Sequence, residues 1–112
     1  MNVSLNGKNF RPVFNKNGEV SDETIFHYHQ EGKIIWAEYS GGRISKGFLI
    51  GRWESSTSIK LVYQHLNCNN EILTGECRTQ VTINNSGKIV LTENWKWTCK
   101  DYSAGESTLV EI

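Results

Sequence analysis

Glu38 and Glu93 each stand in the middle of a stretch in which apolar and polar residues alternate, so each carboxylate shares a face with large apolar side chains. Burial disfavours the charged form of a carboxyl group and raises its pKa, which makes these two the first candidates for acid–base work. Paired-carboxylate hydrolysis also needs a defined separation, which spacing along the chain does not supply. His27 and His29 form an HxH pattern. On a strand both imidazoles project from one face, suitably placed for one metal, with His65 as a third ligand. Phe26 and Tyr28 alternate with them, however, and if those two rings face inward the histidines face out, away from His65. No metal and no cofactor is expected.

Cys68, Cys77 and Cys99 are separated by 8 and 21 residues and match no C-x2-C zinc signature. A turn at Asn69-Asn70 sets Cys77 opposite about Val62, too far along the ladder for a bond to Cys68, so free thiols are expected. Cys77 alternates in step with Leu73, Val81 and Ile83 and reads as a small core residue. Phosphate-binding glycine loops, G-x-S-x-G and HExxH are all absent.

The stronger signal is a set of aromatic stripes. Phe26 and Tyr28 share one face, as do Ile34, Trp36 and Glu38, then Leu61, Tyr63 and His65, and finally Ile89, Leu91, Glu93, Trp95 and Trp97. If all face one interior, Tyr28, Trp36, Glu38, Tyr63, His65, Glu93, Trp95 and Trp97 line it together, and aromatic walls with a few polar groups are typical of a small-molecule pocket. The alternative is a narrow barrel plugged by its rings, with the two glutamates near its ends. Register decides membership. A two-residue turn at Glu31-Gly32 aligns Phe26 with Ala37, and a three-residue bulged turn aligns it with Trp36; the second gathers more rings and is the expected one.

These side chains need a sheet to hold them. Strands are expected at about 8–14, 24–31, 33–40, 43–53, 59–67, 72–83, 88–98 and 106–112, each rich in β-branched and aromatic residues. Glu31-Gly32, Gly41-Gly42, Asn69-Asn70 and Asn84-Asn85-Ser86-Gly87 supply hairpin turns. Longer polar loops run from Asn15 to Glu23, Glu54 to Ser58 and Lys100 to Gly105. The 112 residues fit one domain, and no 3.6-residue apolar period marks a helix. The expected fold is all-β: an eight-stranded antiparallel up-and-down meander closed into a small barrel, since closure hides the edges.

Twelve basic and twelve acidic residues cancel, and no basic block accumulates, which argues against nucleic acid as a partner. Met1 to Gly7 lacks the charged leader and apolar core of a signal peptide, no apolar run approaches a membrane span, and the reading is cytosolic. The sequons at Asn2 and Asn84 are short enough to arise by chance.

The segments Thr24-Ile-Phe-His-Tyr-His-Gln-Glu-Gly, Trp36-Ala-Glu-Tyr-Ser-Gly-Gly, Lys46-Gly-Phe-Leu-Ile-Gly and Leu91-Thr-Glu-Asn-Trp-Lys-Trp-Thr resemble a family of short bacterial proteins of unassigned role. Its members often carry the label N-acetylglutamate synthase. That label implies acetyl transfer from acetyl-CoA, for which an α/β fold and a glycine-rich loop at a helix N-terminus are the usual equipment; this sequence offers neither. In fold the chain is similar to avidin-like and lipocalin-like barrels, a resemblance that implies a small, mostly apolar ligand inside an antiparallel cylinder. The leading expectation is therefore a binder with Glu38, Glu93 and His65 as polar anchors. The alternatives are a protein–protein module or homodimer formed through sheet edges at 43–53 or 106–112, favoured if Phe48 or Trp53 is exposed, and an enzyme using buried glutamates.

Overall fold

In the computed structural model, which describes residues 3–16 and 18–112, the chain forms eight strands. They are β1 (Asn9–Lys16), β2 (Ile25–Glu31), β3 (Ile34–Gly41), β4 (Ile44–Trp53), β5 (Ser58–Asn67), β6 (Ile72–Ile83), β7 (Ile89–Trp97) and β8 (Ala104–Glu111). Asn2 of the first sequon and Asn17 of the first long loop lie outside the described residues. Each strand pairs antiparallel with its sequence neighbours, and β1 pairs with β8, so the meander closes into a barrel. Closure leaves β4 and β8 paired on both sides, which corrects the edge-pairing expectation: 43–53 and 106–112 have no free ladder to offer.

The first strand continues two residues beyond its expected end. Its pairing with β8 shifts between Pro12 and Phe14, where Val13 is bulged out; a bulge tolerates the missing N–H of proline and lets the strand resume with Asn15 opposite Ser107. By contrast, β1 meets β2 at two paired positions only, Asn9 with His27 and Phe10 with Phe26. Beyond Phe10 the strand stays paired with β8 as far as Lys16, and residues 18–24 then return to β2 across the barrel mouth as the β1–β2 loop.

The β2–β3 hairpin overturns one expectation. Glu31 pairs with Ile34, leaving a two-residue turn of Gly32 and Lys33, with Gly32 at φ 59°, where a side chain is disfavoured. Phe26 then lies opposite Tyr39, and Tyr28 opposite Ala37. The inward residues of β3 are Ile35, Ala37 and Tyr39, all buried, and the odd–even rule turns Trp36 and Glu38 to the outside.

The lumen has two unlike halves. At the end where β1 begins, Leu5, Phe10, Ile35, Ile59, Val81, Leu91 and Leu109 are essentially inaccessible to solvent. Leu5 is carried in by the segment before β1, held by Leu5 N–H donating to Gln30 Oε1 and Gly7 N–H to the Tyr28 carbonyl. Each such side chain contributes roughly 1.5–3 kcal/mol by leaving water. This half is a packed core. The other half, toward the ends of β1, β5 and β7, holds the rings and the ionisable groups.

Candidate functional site

At the open half, β5 contributes Tyr63 and His65, and β7 contributes Glu93, Trp95 and Trp97. Alternation puts all five on the inner wall. Trp97 is central: its ring meets Tyr63 at 5.7 Å, His65 at 5.7 Å and Trp95 at 5.4 Å, each edge to face. Such geometry suits aromatic quadrupoles. A cavity of about 50 Å³ lies among these side chains, with Phe26, Tyr39, Leu61 and Cys77 completing its walls.

Three rings are seated on glycines. Tyr39 pairs with Gly47, Tyr63 with Gly75 and Trp95 with Gly105, and a Cβ on any of these glycines would fall inside the opposing ring. Glycine in a strand normally weakens it, but here each makes room for an aromatic ring to lie against the wall. The mid-strand glycines thus govern ring orientation.

The β1–β2 loop closes the mouth. Glu19 places one carboxylate oxygen 2.7 Å from His65 Nε2 and accepts from Asn67 Nδ2 on the other at 3.0 Å. The Tyr39 hydroxyl lies 3.0 Å from His65 Nδ1, so an imidazole with its hydrogen on Nε2 donates to Glu19 and accepts from Tyr39. A second chain anchors the loop from the other side: Trp95 Nε1 donates to Ser107 Oγ at 2.9 Å, Ser107 Oγ donates to Asn15 Oδ1 at 3.1 Å, and Asn15 Nδ2 donates to the Val20 carbonyl at 2.8 Å. Glu19, Asn15 and Ser107 had no signal in the strand alternation. Glu19 and Asn15 belong to a polar loop and the strand end before it, and Ser107 is a small polar residue in a polar run.

Glu93 is the exception to this bonding. It lies between Thr79 and Ser107 in the ladders, is 8% exposed, and accepts no hydrogen bond from any of the described residues. Burial pushes its carboxyl up to about 8, so at neutral pH it is mostly protonated. Burial likewise raises the hydroxyls of Tyr28, Tyr39 and Tyr63 and the Cys77 thiol, and Glu93 is close enough to raise each further. Tyr28 OH is buried with no partner, although Tyr28 sits behind the cavity rather than on its surface.

Of the eight expected lining residues, Tyr63, His65, Glu93, Trp95 and Trp97 border the cavity, and Tyr28 faces inward below it. Trp36 and Glu38 do not join them. Trp36 stacks on His29 outside the barrel, with ring centres 5.4 Å apart, and Glu38 accepts from His29 Nε2 at 3.0 Å. Glu38 and Glu93 therefore lie on opposite sides of the wall and cannot act together on one substrate. His27 bonds Asn9 on the outer surface, 2.6 Å away. Among the described residues no group of three or more His, Cys, Asp or Glu is arranged to hold a metal, and the three cysteines are free. Cys77 pairs with Leu61, one residue from its expected partner, and Ile83 lies half-exposed at the strand end.

A protein-family model described as "Avidin-like protein" matches residues 3–112. No curated protein matches the chain.

Proposed function

Because this chain belongs to the avidin-like protein family, we propose that it binds a small molecule in the aromatic half of its barrel. The observation that carries the reading is the wall of Tyr63, Trp95 and Trp97 around an interior space, covered by a loop held through side-chain hydrogen bonds. One end of the barrel is packed with aliphatic side chains, while the other keeps a space lined by aromatic rings and a Glu93 carboxyl that accepts no hydrogen bond from the described residues. The volume of about 50 Å³ holds only a few heavy atoms, well below the several hundred Å³ of a typical small-molecule pocket, so a longer ligand enters only by displacing the β1–β2 loop. A cytosolic setting belongs to the same proposal, supported by three cysteines outside any disulfide.

The test is a thermal-shift and tryptophan-emission screen against metabolites, acetyl-CoA and glutamate included. A ligand raises the melting temperature by mass action, and Trp97→Leu weakens that shift. If no metabolite at millimolar concentration raises the melting temperature, the reading fails.

A second reading concerns partners. On the outer face of β3–β5, Trp36 pairs with Ile50 and Ile50 with Val62, with Ile34 and Phe48 beside them. Ile34, Phe48, Ile50 and Val62 are each about half exposed, whereas Trp53, at the packed end, is partly buried. An apolar patch of this kind marks an association surface. Charged residues frame it on both sides: Glu38, paired with His29, and Lys46, over the Phe48 ring, at one end, and Arg52 and Lys60, beside Glu76, at the other. We propose homodimerisation through this outer face rather than through strand edges.

A further inference from the structure

We propose that the ligand of this lumen is a small organic cation, an ammonium or methylated ammonium head group held between the Glu93 carboxylate and the faces of Tyr63, Trp95 and Trp97. The inference rests on the small-molecule reading above and names the chemical class. Residues around the cavity include two glutamates and no lysine or arginine. An anionic ligand would meet the Glu19 carboxylate at the mouth and, above about pH 8, a second carboxylate at Glu93, with no lysine or arginine to receive it. A neutral apolar ligand would give the Glu93 carboxyl no hydrogen-bond partner, and none of the described residues supplies one.

Glu19 is already satisfied by His65 and Asn67, which leaves Glu93 as the free acceptor. Its position is built rather than incidental: it is nine-tenths buried, points into the cavity, and sits on the same strand face as Trp95 and Trp97. Aromatic faces attract a cation through their negative quadrupoles, most strongly where water is excluded, and a carboxylate behind the rings supplies the full countercharge. The mouth is covered by Glu19, a second acid, so a cation entering the barrel passes favourable charge at both depths.

Binding should be coupled to proton release. The titratable groups facing Glu93 are Tyr28 from β2, Tyr39 from β3, Tyr63 and His65 from β5, Cys77 from β6, and Glu19 from the loop. The three tyrosines and the thiol are held in their neutral forms by burial. Burial pushes the Glu93 carboxyl up to about 8, and a bound cation favours its ionised form. An alkylammonium, like a lysine side chain, stays protonated over this range.

The experiment is calorimetry with n-butylammonium and tetramethylammonium chloride, n-butanol and sodium butyrate, in buffers of different ionisation enthalpy between pH 6 and 9. The expected result is binding of a cation alone, with close to one proton released at pH 6.5 and affinity rising up to tenfold per pH unit before levelling above about 8. Glu93→Gln should lose both binding and proton release, and Glu93→Asp should keep the proton coupling at reduced affinity. Persistence of the pH profile in Glu93→Gln would assign it to another group and overturn the proposal. Binding of butanol or butyrate with both cations silent overturns the cation assignment while leaving the small-molecule reading intact. Silence from all four probes also overturns it, and the metabolite screen then decides the parent reading separately.

Discussion

The Glu19 carboxylate lies 2.7 Å from His65 Nε2 across 46 positions of sequence, and this contact fastens the β1–β2 loop over the barrel mouth. Removing it by Glu19→Ala leaves His65 and Asn67 short of an acceptor and should cost roughly 1–3 kcal/mol, read as a lower urea midpoint. Amide exchange across 18–24 should speed up while β5–β7 stay protected. An unchanged midpoint and unchanged exchange would mean the contact does not hold the loop.

Glu93 gives the protein a pH dependence of opposite sign to that of a salt-bridged carboxylate. Its folded pKa, about 8, lies above the ordinary value of 4.5, so between these limits the folded state holds a proton that the unfolded chain has lost. Stability therefore falls as pH rises from about 4.5 to 8 and levels off above, by an order of a few kcal/mol. Glu93→Gln should flatten this slope and stabilise the protein at pH 8. Denaturation midpoints at pH 5, 6.5 and 8 check it, and a variant with the wild-type slope would exclude Glu93 as its source.

Gly75→Ala should drive the Tyr63 ring off its seat. Overpacking of this kind costs roughly 1–3 kcal/mol and should alter the near-ultraviolet dichroism of Trp97, which Tyr63 contacts edge-on. Gly32→Ala is the contrasting variant. Nothing lies within 4 Å of its added Cβ, so only the positive φ is strained, and stability should drop by about 1 kcal/mol with the aromatic dichroism unchanged.

Trp36 and Trp97 separate the two faces of the wall. Trp36→Phe should leave a ligand-induced emission change intact because Trp36 stacks on His29 outside the barrel, whereas Trp97→Phe should remove most of the change. The reverse pattern would relocate the binding site to the outer surface.

Ile50→Lys, at the centre of the exposed row on β4, should hold the chain monomeric at concentrations where the wild type sediments as a dimer, without loss of thermal stability. A wild type that remains monomeric at hundreds of micromolar would end the outer-face reading.

Strand number, antiparallel order and closure were legible from the alternation of residue types and from turn chemistry, because period-two patterning and Gly/Asn turns are local signals. Tyr63, His65, Glu93, Trp95 and Trp97 were legible for the same reason, each lying within a single long strand whose own alternation sets its face. Trp36 and Glu38 were misplaced because their face depends on one residue more or less in the Gly32-Lys33 turn, and gathering rings is no guide to register. Glu19 could not be read at all. Its role arises from a loop folding back over β5, a long-range event with no periodic trace in the sequence.

The seating of rings on glycines makes the pocket adjustable two positions at a time. Enlarging Gly47 or Gly75 alone collides with the opposing tyrosine ring, whereas a side chain at Gly105 would meet the Lys16 carbonyl as well as the Trp95 indole. Changing both members together exchanges where the bulk sits without altering how much there is. Ligand specificity can thus be rewritten through the dyads Tyr39–Gly47 and Tyr63–Gly75, sparing the aliphatic half that keeps the cylinder folded.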